Sequence, residues 1–398
     1  MISALIKRRY DKLQVGKMTS RERAVIALSR KEPDRVPIDI GGGTSTSIVL
    51  EAYEALKKYL GLLGETKVLS KVYRSARLDE RVMRRLRSDF YPLRSKPPVN
   101  WNPPPTDPGT LSDVWGVKWK QVPYRDKGFY WEVSCCPLAA ASVQDLERYP
   151  WPDPADPGYT DGLAEEAKGL HDNTDYAIEA SCGFYSFWEL AYSLRGYEQL
   201  LLDLAGNEEF VSALLARILE INLEGTRRFL EQAGPYIDVF RAGDDLASQD
   251  DLLMSPGTFR RLLKPVYRKY FELVKAKTQA KIVFHSDGNI VALLDDLAEI
   301  GMDAVNPVQP SAVGDTAGLK RRFGHKLAFV GGIDTQTVLP FGSPAEVALE
   351  VRRRIGDLGP EGGYVLAAVH SIQADVPPEN ILAMCDEAAA SGKYPLTL

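Results

Sequence analysis

Lys281-Ile282-Val283-Phe284-His285-Ser286-Asp287-Gly288-Asn289-Ile290 decides the fold. A short run of β-branched and aromatic residues breaks into a polar, glycine-bearing turn, and amphipathic helical sequence follows over residues 290–300. Strand, polar turn and helix in that order form the repeating unit of parallel α/β proteins. Phe329-Val330-Gly331-Gly332-Ile333-Asp334 and Val369-His370-Ser371-Ile372-Gln373-Ala374-Asp375 place polar groups at the exit of a run in the same way. The chain has four histidines, His171, His285, His325 and His370, and two of them stand at such exits. In an α/β barrel the strand exits form the catalytic face.

Outward from there, strands are expected at residues 36–40, 90–93, 176–180, 237–241, 281–284, 304–306, 327–330 and 364–368. Helical patterns fall between most of them, at 207–233, 255–277, 290–300, 344–358 and 377–391, after an opening helix at 19–30 that Thr19 or Ser20 can cap. Eight strands alternating with helices predict a single (β/α)8 barrel over residues 1–398. No GxGxxG follows an early strand, as an open dinucleotide-binding sheet would have it. Residues 97–157 break the alternation. They are rich in Pro, Trp and Tyr, and 114–119 with 129–134 read as a β-hairpin that lies over or beside the barrel mouth. Such an insertion serves as a lid or as an interface with a partner, a second copy of the chain included.

Composition excludes several classes. A formal charge of -5 over 398 residues, with Lys and Arg scattered, offers no basic face for nucleic acid. Residues 1–20 carry Lys7, Arg8, Arg9, Asp11 and Lys12 in place of an apolar secretory core, and no later stretch is long enough to span a bilayer, so a cytoplasmic location is expected. Four cysteines without CxxC spacing suit a reducing compartment. Arg84-Arg85-Leu86-Arg87 and Arg352-Arg353-Arg354 read as exposed helix faces.

Thr19-Ser20-Arg21-Glu22-Arg23 through Glu32-Pro33-Asp34-Arg35-Val36-Pro37, then Gly243-Asp244-Asp245-Leu246, Ser255-Pro256, Leu263-Lys264-Pro265, His285-Ser286-Asp287-Gly288, Gly331-Gly332-Ile333-Asp334 and Val376-Pro377-Pro378-Glu379-Asn380 together resemble the uroporphyrinogen decarboxylase superfamily. The resemblance runs from about Thr19 to the end, and it too implies a (β/α)8 barrel with its site at the strand C-termini. True uroporphyrinogen decarboxylases carry an arginine-rich stretch after the first strand that holds the substrate's many carboxylates. This chain has Gly41-Gly42-Gly43-Thr44-Ser45-Thr46 there. Without those cations a polyanionic porphyrinogen has nothing to grip it.

The superfamily's other branch comprises corrinoid-dependent methyltransferases and demethylases of methoxylated compounds. Its thiol-alkylating members carry a zinc site similar to His-x-Cys with a distant Cys near the final strand. On that resemblance His285 matches the histidine, Asp287 stands at the first cysteine and His370 near the second, which implies zinc or another divalent metal on His285, Asp287 and His370. Harder ligands than thiolate suit a metal that polarises oxygen. The implied function is methyl transfer between a small methoxylated or hydroxylated compound, an aromatic one among them, and a corrinoid. No Asp-x-His-x-x-Gly signature is present, so the corrinoid would come on a partner protein.

Asp244 and Asp245, with His370, are the candidate acid and base residues, helix capping being the alternative for one of the two aspartates. Glu179, Tyr185, Gln249, Asn306, Gln309 and Asp334 are expected to line the mouth as substrate-binding residues. Two other readings stay open: a carboxy-lyase for a smaller acid, with Asp244 or Asp245 stabilising a protonated intermediate, and a non-catalytic binding subunit.

Overall fold

The computed structural model describes residues 18–124 and 128–397. In chain order the strands among them are β1 (Lys67–Ser70), β2 (Ser75–Arg77), β3 (Phe90–Arg94), β4 (Thr110–Ser112), β5 (Lys118–Tyr124), β6 (Gly128–Cys135), β7 (Ala177–Ser181), β8 (Val239–Gly243), β9 (Lys281–His285), β10 (Ala304–Val308), β11 (Ala328–Ile333) and β12 (Tyr364–Ala368). Seven of them, β3 and β7 to β12, form one parallel sheet in sequence order. Residues 36–40 take the eighth place. Asp39 N donates to Leu366 O and Leu366 N to Pro37 O on one side, both at 2.9 Å, and Asp89 N donates to Ile38 O at 2.8 Å on the other. These bonds bridge β12 to the start of β3 and close the (β/α)8 barrel. Strands β8, β10, β11 and β12 are buried along their whole length, as parallel strands covered on both faces must be.

Strands run as far as Gly243, Val308 and Ile333, further toward the exits than expected. Glycine and polar residues there read as strand ends in the sequence. Each of these ends is paired on one side, Gly243 with His285, Val308 with Gly331 and Ile333 with Ala368, the second of these after a register shift between Val305 and Val308.

The N-terminal end is plugged. Thr19 and Glu22 form a capping box that starts helix Ser20–Leu28. Ala24, Ala27 and Leu28 of this helix are buried with Phe90, Ala177, Val239, Val283 and Ala328 of the barrel interior. Around the plug, an aspartate directly before a strand accepts a backbone N–H from the neighbouring strand. Asp89 takes Ile38 N at 2.9 Å, Asp238 takes Ile178 N at 2.9 Å, and Asp303 takes Ile282 N at 2.7 Å. Each has a cation: Arg23 and Arg35 for Asp89, Arg21 for Asp238, Lys275 for Asp303.

Three expectations are corrected. Residues 255–277 are not one α-helix: Phe259–Leu263 is a π-turn before helix Lys264–Lys277, because Pro265 has no N–H to return to the preceding turn and its ring crowds the carbonyl there. The hairpin strand starts at Lys118, not Val114, since Asp113 draws Trp115 N, Val117 N and Trp119 Nε1 onto its carboxylate and holds the residues between as a turn. Strands β4, β5 and β6 form an antiparallel sheet with Tyr124 opposite Gly128. The expected connecting loop falls partly outside the described residues, as do residues 1–17. Arg354, read as exposed, is buried on Glu350 and Asp357. All four cysteines are free, and among the described residues no helix is long and apolar enough to cross a membrane.

Candidate functional site at the barrel mouth

His285 is the last residue of β9, directly opposite Asn306 of β10. Its Nδ1 lies 2.8 Å from Asn306 Oδ1, an acceptor, so Nδ1 carries the hydrogen and Nε2 keeps its lone pair for a ligand. Ser45 of the glycine-rich loop donates to the same oxygen at 3.4 Å. The turn after His285 is wedged against residues 244–249. Gly288, at φ +85°, packs so tightly that a Cβ would stand 2.3 Å from Ser248 O. Gly243, at φ +151°, similarly lets β8 approach His285 O, where a Cβ would sit at 2.2 Å. Asp287 N donates to Asp245 Oδ1 at 2.8 Å, and Gly288 N to Gln309 Oε1 at 2.9 Å. His370, just beyond β12, brings its ring to 6.2 Å from that of His285, centre to centre.

His285, Asp287 and His370 each offer one donor atom, and the three atoms lie within 4.8 Å of one another. Asp287 Oδ1 is buried with no hydrogen-bond partner. Two imidazoles and a carboxylate oxygen left without a donor fit a divalent cation of the zinc type.

Asp244 and Asp245, equal in sequence, are separated by the structure. Asp244 is fully buried and accepts from Ser186 Oγ at 2.5 Å, Phe187 N at 2.7 Å, Glu189 N at 2.8 Å and the Tyr267 hydroxyl. It caps helix Trp188–Arg195, the alternative the sequence holds open for one of the two aspartates, and its oxygens are occupied by these bonds. Asp245 brings Oδ1 to 3.9 Å from His285 Nε2, and burial together with Asp287 raises its carboxyl above the ordinary range. Beside it stands Glu189, unforeseen from the sequence. Burial first, then Asp245, Asp244 and Asp287, push the Glu189 carboxyl well up. Among the described residues no Lys or Arg pairs with any of these four acids.

The expected substrate-binding residues divide. Tyr185 lines a chamber of about 410 Å³ that the insertion covers with Trp119, Phe129 and Trp131. Gln249 and Gln309 line a polar cleft of about 640 Å³ with Asp287 and Gln336. His370, Gln373 and Tyr130 border both cavities. Asn306 works by orienting His285. Glu179 and Asp334 hold partners within the fold. Glu179 is buried under Gly43 and takes Arg241 Nε and Nη2 at 2.9 and 2.6 Å, with Asp39 3.6 Å from the same guanidinium. Asp334 spends its carboxylate on Gln336 N, Thr337 N and Val338 N in its own turn. The one sequence signal for Glu189 is an acid isolated in the aromatic run Phe184-Tyr185-Ser186-Phe187-Trp188-Glu189-Leu190-Ala191-Tyr192.

A family model described as Uroporphyrinogen decarboxylase (URO-D) matches residues 136–391. A uroporphyrinogen decarboxylase of Bordetella parapertussis is 30% identical over 180 residues, 44% of this chain and 48% of that protein. The corresponding protein of Chloroherpeton thalassium is 26% identical over 266 residues, 64% and 70% of the two chains. The chain thus spans about half the length of the Bordetella relative it matches. A solved methyltransferase from Methanosarcina mazei superposes with a TM-score of 0.64 at 19% identity, covering 94% of this chain and 99% of that one, and shares the fold. With a family match over most of its length and a closed parallel barrel to accommodate it, the chain belongs to the uroporphyrinogen decarboxylase (URO-D) family.

Proposed function

We propose that the protein transfers a methyl group between a small methoxylated or hydroxylated compound and a corrinoid on a partner protein, with zinc or a similar divalent metal held by His285, Asp287 and His370. The observation that carries this reading is the convergence of their three donor atoms within 4.8 Å around a carboxylate oxygen that is buried and unpaired. A bound divalent ion would supply Lewis acidity to an ether or hydroxyl oxygen, which is otherwise a poor leaving group.

The chain's own groups supply the rest. Asn306 fixes the His285 tautomer, Asp244 anchors the helix that presents Glu189, and Asp245, 3.9 Å from His285 Nε2, would hold the proton that a departing oxygen takes. His370 borders both the aromatic chamber and the polar cleft, and the cleft would leave an approach for a partner. The Methanosarcina methyltransferase fold supports the reading, as does a glycine, serine and threonine loop at residues 41–46 where a porphyrinogen would need arginines. Decarboxylation of a smaller acid is the second reading, favoured by the names of the curated relatives.

Elemental analysis of the purified protein tests the proposal. About one zinc ion per chain is expected in the wild type, with loss of it in His285→Ala and Asp287→Asn. A wild type free of metal after growth in supplemented medium overturns the metal-assisted reading and leaves decarboxylation.

A further inference from the structure

The chamber beneath the insertion has walls that suit one class of methyl donor. Tyr185, Tyr192, Trp119, Phe129 and Trp131 face it, and its volume of about 410 Å³ lies at the small end of the roughly 300–1,000 Å³ usual for ligand pockets. Flat apolar walls around so small a space fit one aromatic ring with short substituents.

The polar groups narrow the choice. Asn222, 1% exposed, lines the chamber, gives its Nδ2 to Ser186 O at 2.9 Å and leaves Oδ1 buried without a partner. That oxygen needs a donor. Glu189 adds a second acceptor, backed by Asp245 and Asp287, whose charges already oppose its ionisation. Arg74 is the one described residue of the lining with a permanent positive charge. It is spent: its guanidinium is paired with Glu51, bonded to Phe129 O at 2.8 Å and stacked 4.1 Å above the Phe129 ring. Asp113 is likewise consumed by Trp115 N, Val117 N and Trp119 Nε1. A substrate carboxylate entering here would find no free cation among the described residues of the lining, and its charge would meet the carboxyl groups of Glu189 and Asp113.

We propose that the chamber selects an uncharged aromatic methyl ether carrying a hydroxyl, which gives its hydrogen to Asn222 Oδ1, and that it rejects methoxylated aromatic acids. The choice of an ether follows from the methyl-transfer reading above, whereas ring binding and charge discrimination do not depend on it.

Quenching of the tryptophan fluorescence by 2-methoxyphenol, 2-methoxybenzoate and (2-methoxyphenyl)trimethylammonium tests the proposal without corrinoid or turnover. Binding of 2-methoxyphenol at least about 10-fold tighter than the acid is expected, which is roughly 1.4 kcal/mol. Trp131→Ala should weaken the phenol, Asn222→Leu should weaken it further, and Glu189→Gln should narrow the gap between phenol and acid. Equal or tighter binding of the acid overturns the proposal, as does tighter binding of the cation or no binding of any ring. Binding in the expected order with no methyl transferred to a reduced corrinoid would sink the methyl-transfer reading and leave the chamber's selectivity standing.

Discussion

At the N-terminal end of the barrel, Asp89, Asp238 and Asp303 each combine a backbone N–H with a cation, and Arg23 of the plugging helix spans Asp34 and Asp89. At the C-terminal end, Asp245, Asp287 and Glu189 crowd two histidines with no paired cation among the described residues, and one of Asp287's oxygens has no partner. One set of residue types thus serves two purposes on one scaffold. Where each acid has a donor and a counter-charge, it joins strands. Where acids are gathered without them, the fold carries an electrostatic cost that a bound cation or a shared proton relieves. The difference teaches where to look for chemistry in such a barrel: pairing, rather than abundance, separates structural acids from those available to a ligand.

The largest effect should come from breaking the paired end. Arg23→Ala leaves Asp89, fully buried, with only Arg35 and Ile38 N, and removes the strap to Asp34. Loss of one partner from a buried ion network costs about 3–5 kcal/mol. A marked drop in thermal midpoint is expected with zinc content unchanged. Should the variant lose zinc while keeping its midpoint, the two ends would not be separable as described.

Removing an acid at the other end should act in the opposite sense. Asp287→Asn deletes one of the mutually repelling charges, and the metal-free protein should be unchanged or up to about 1 kcal/mol more stable. Thermal melts in chelator and in zinc check this: zinc should raise the wild-type midpoint and leave that of the variant where it was. A clear destabilisation in chelator would show that Asp287 supports the fold as the N-terminal aspartates do.

Much of the first region, and less of the second, is legible in the sequence. All eight barrel segments stand out because parallel strands covered on both faces are continuous apolar runs, and His285 and His370 follow from their position at two exits. The roles of Asp244 and Asp245 are not legible, because consecutive residues of extended chain point to opposite sides and only the packed helix Trp188–Arg195 shows which one it needs as a cap. Glu179 and Asp334 sit at exits as His285 does, yet Arg241 absorbs the first and a local turn the second, partners that strand position alone does not disclose. Glu189 reads as an ordinary first-turn helix acid. What makes it part of the mouth is its juxtaposition with Asp245 and Asp287, brought from strands far away in the chain.

The subtlest test is the pH dependence of stability, where the two ends should pull in opposite directions. Asp34 is held below its ordinary value, chiefly by its bond to Arg23 acting against burial, so the unfolded chain binds more protons than the folded one in the acid range. Its contribution is present at neutral pH and is lost as pH falls through the carboxylate range, around pH 4 and below. Glu189 is held well above its ordinary 4.5, by burial and by three neighbouring carboxylates. There the folded chain binds the extra proton, so stability is full below the ordinary value and declines as pH rises through the window above it. In chelator, the wild type should therefore gain stability from pH 7 down to about pH 5 and lose it again below about pH 4. Glu189→Gln should flatten the upper limb and spare the lower one, as followed by thermal midpoints across the range. An upper limb unchanged in that variant would mean that the mouth acids hold no extra proton, and the contrast between the two ends would then be one of geometry without an energetic counterpart.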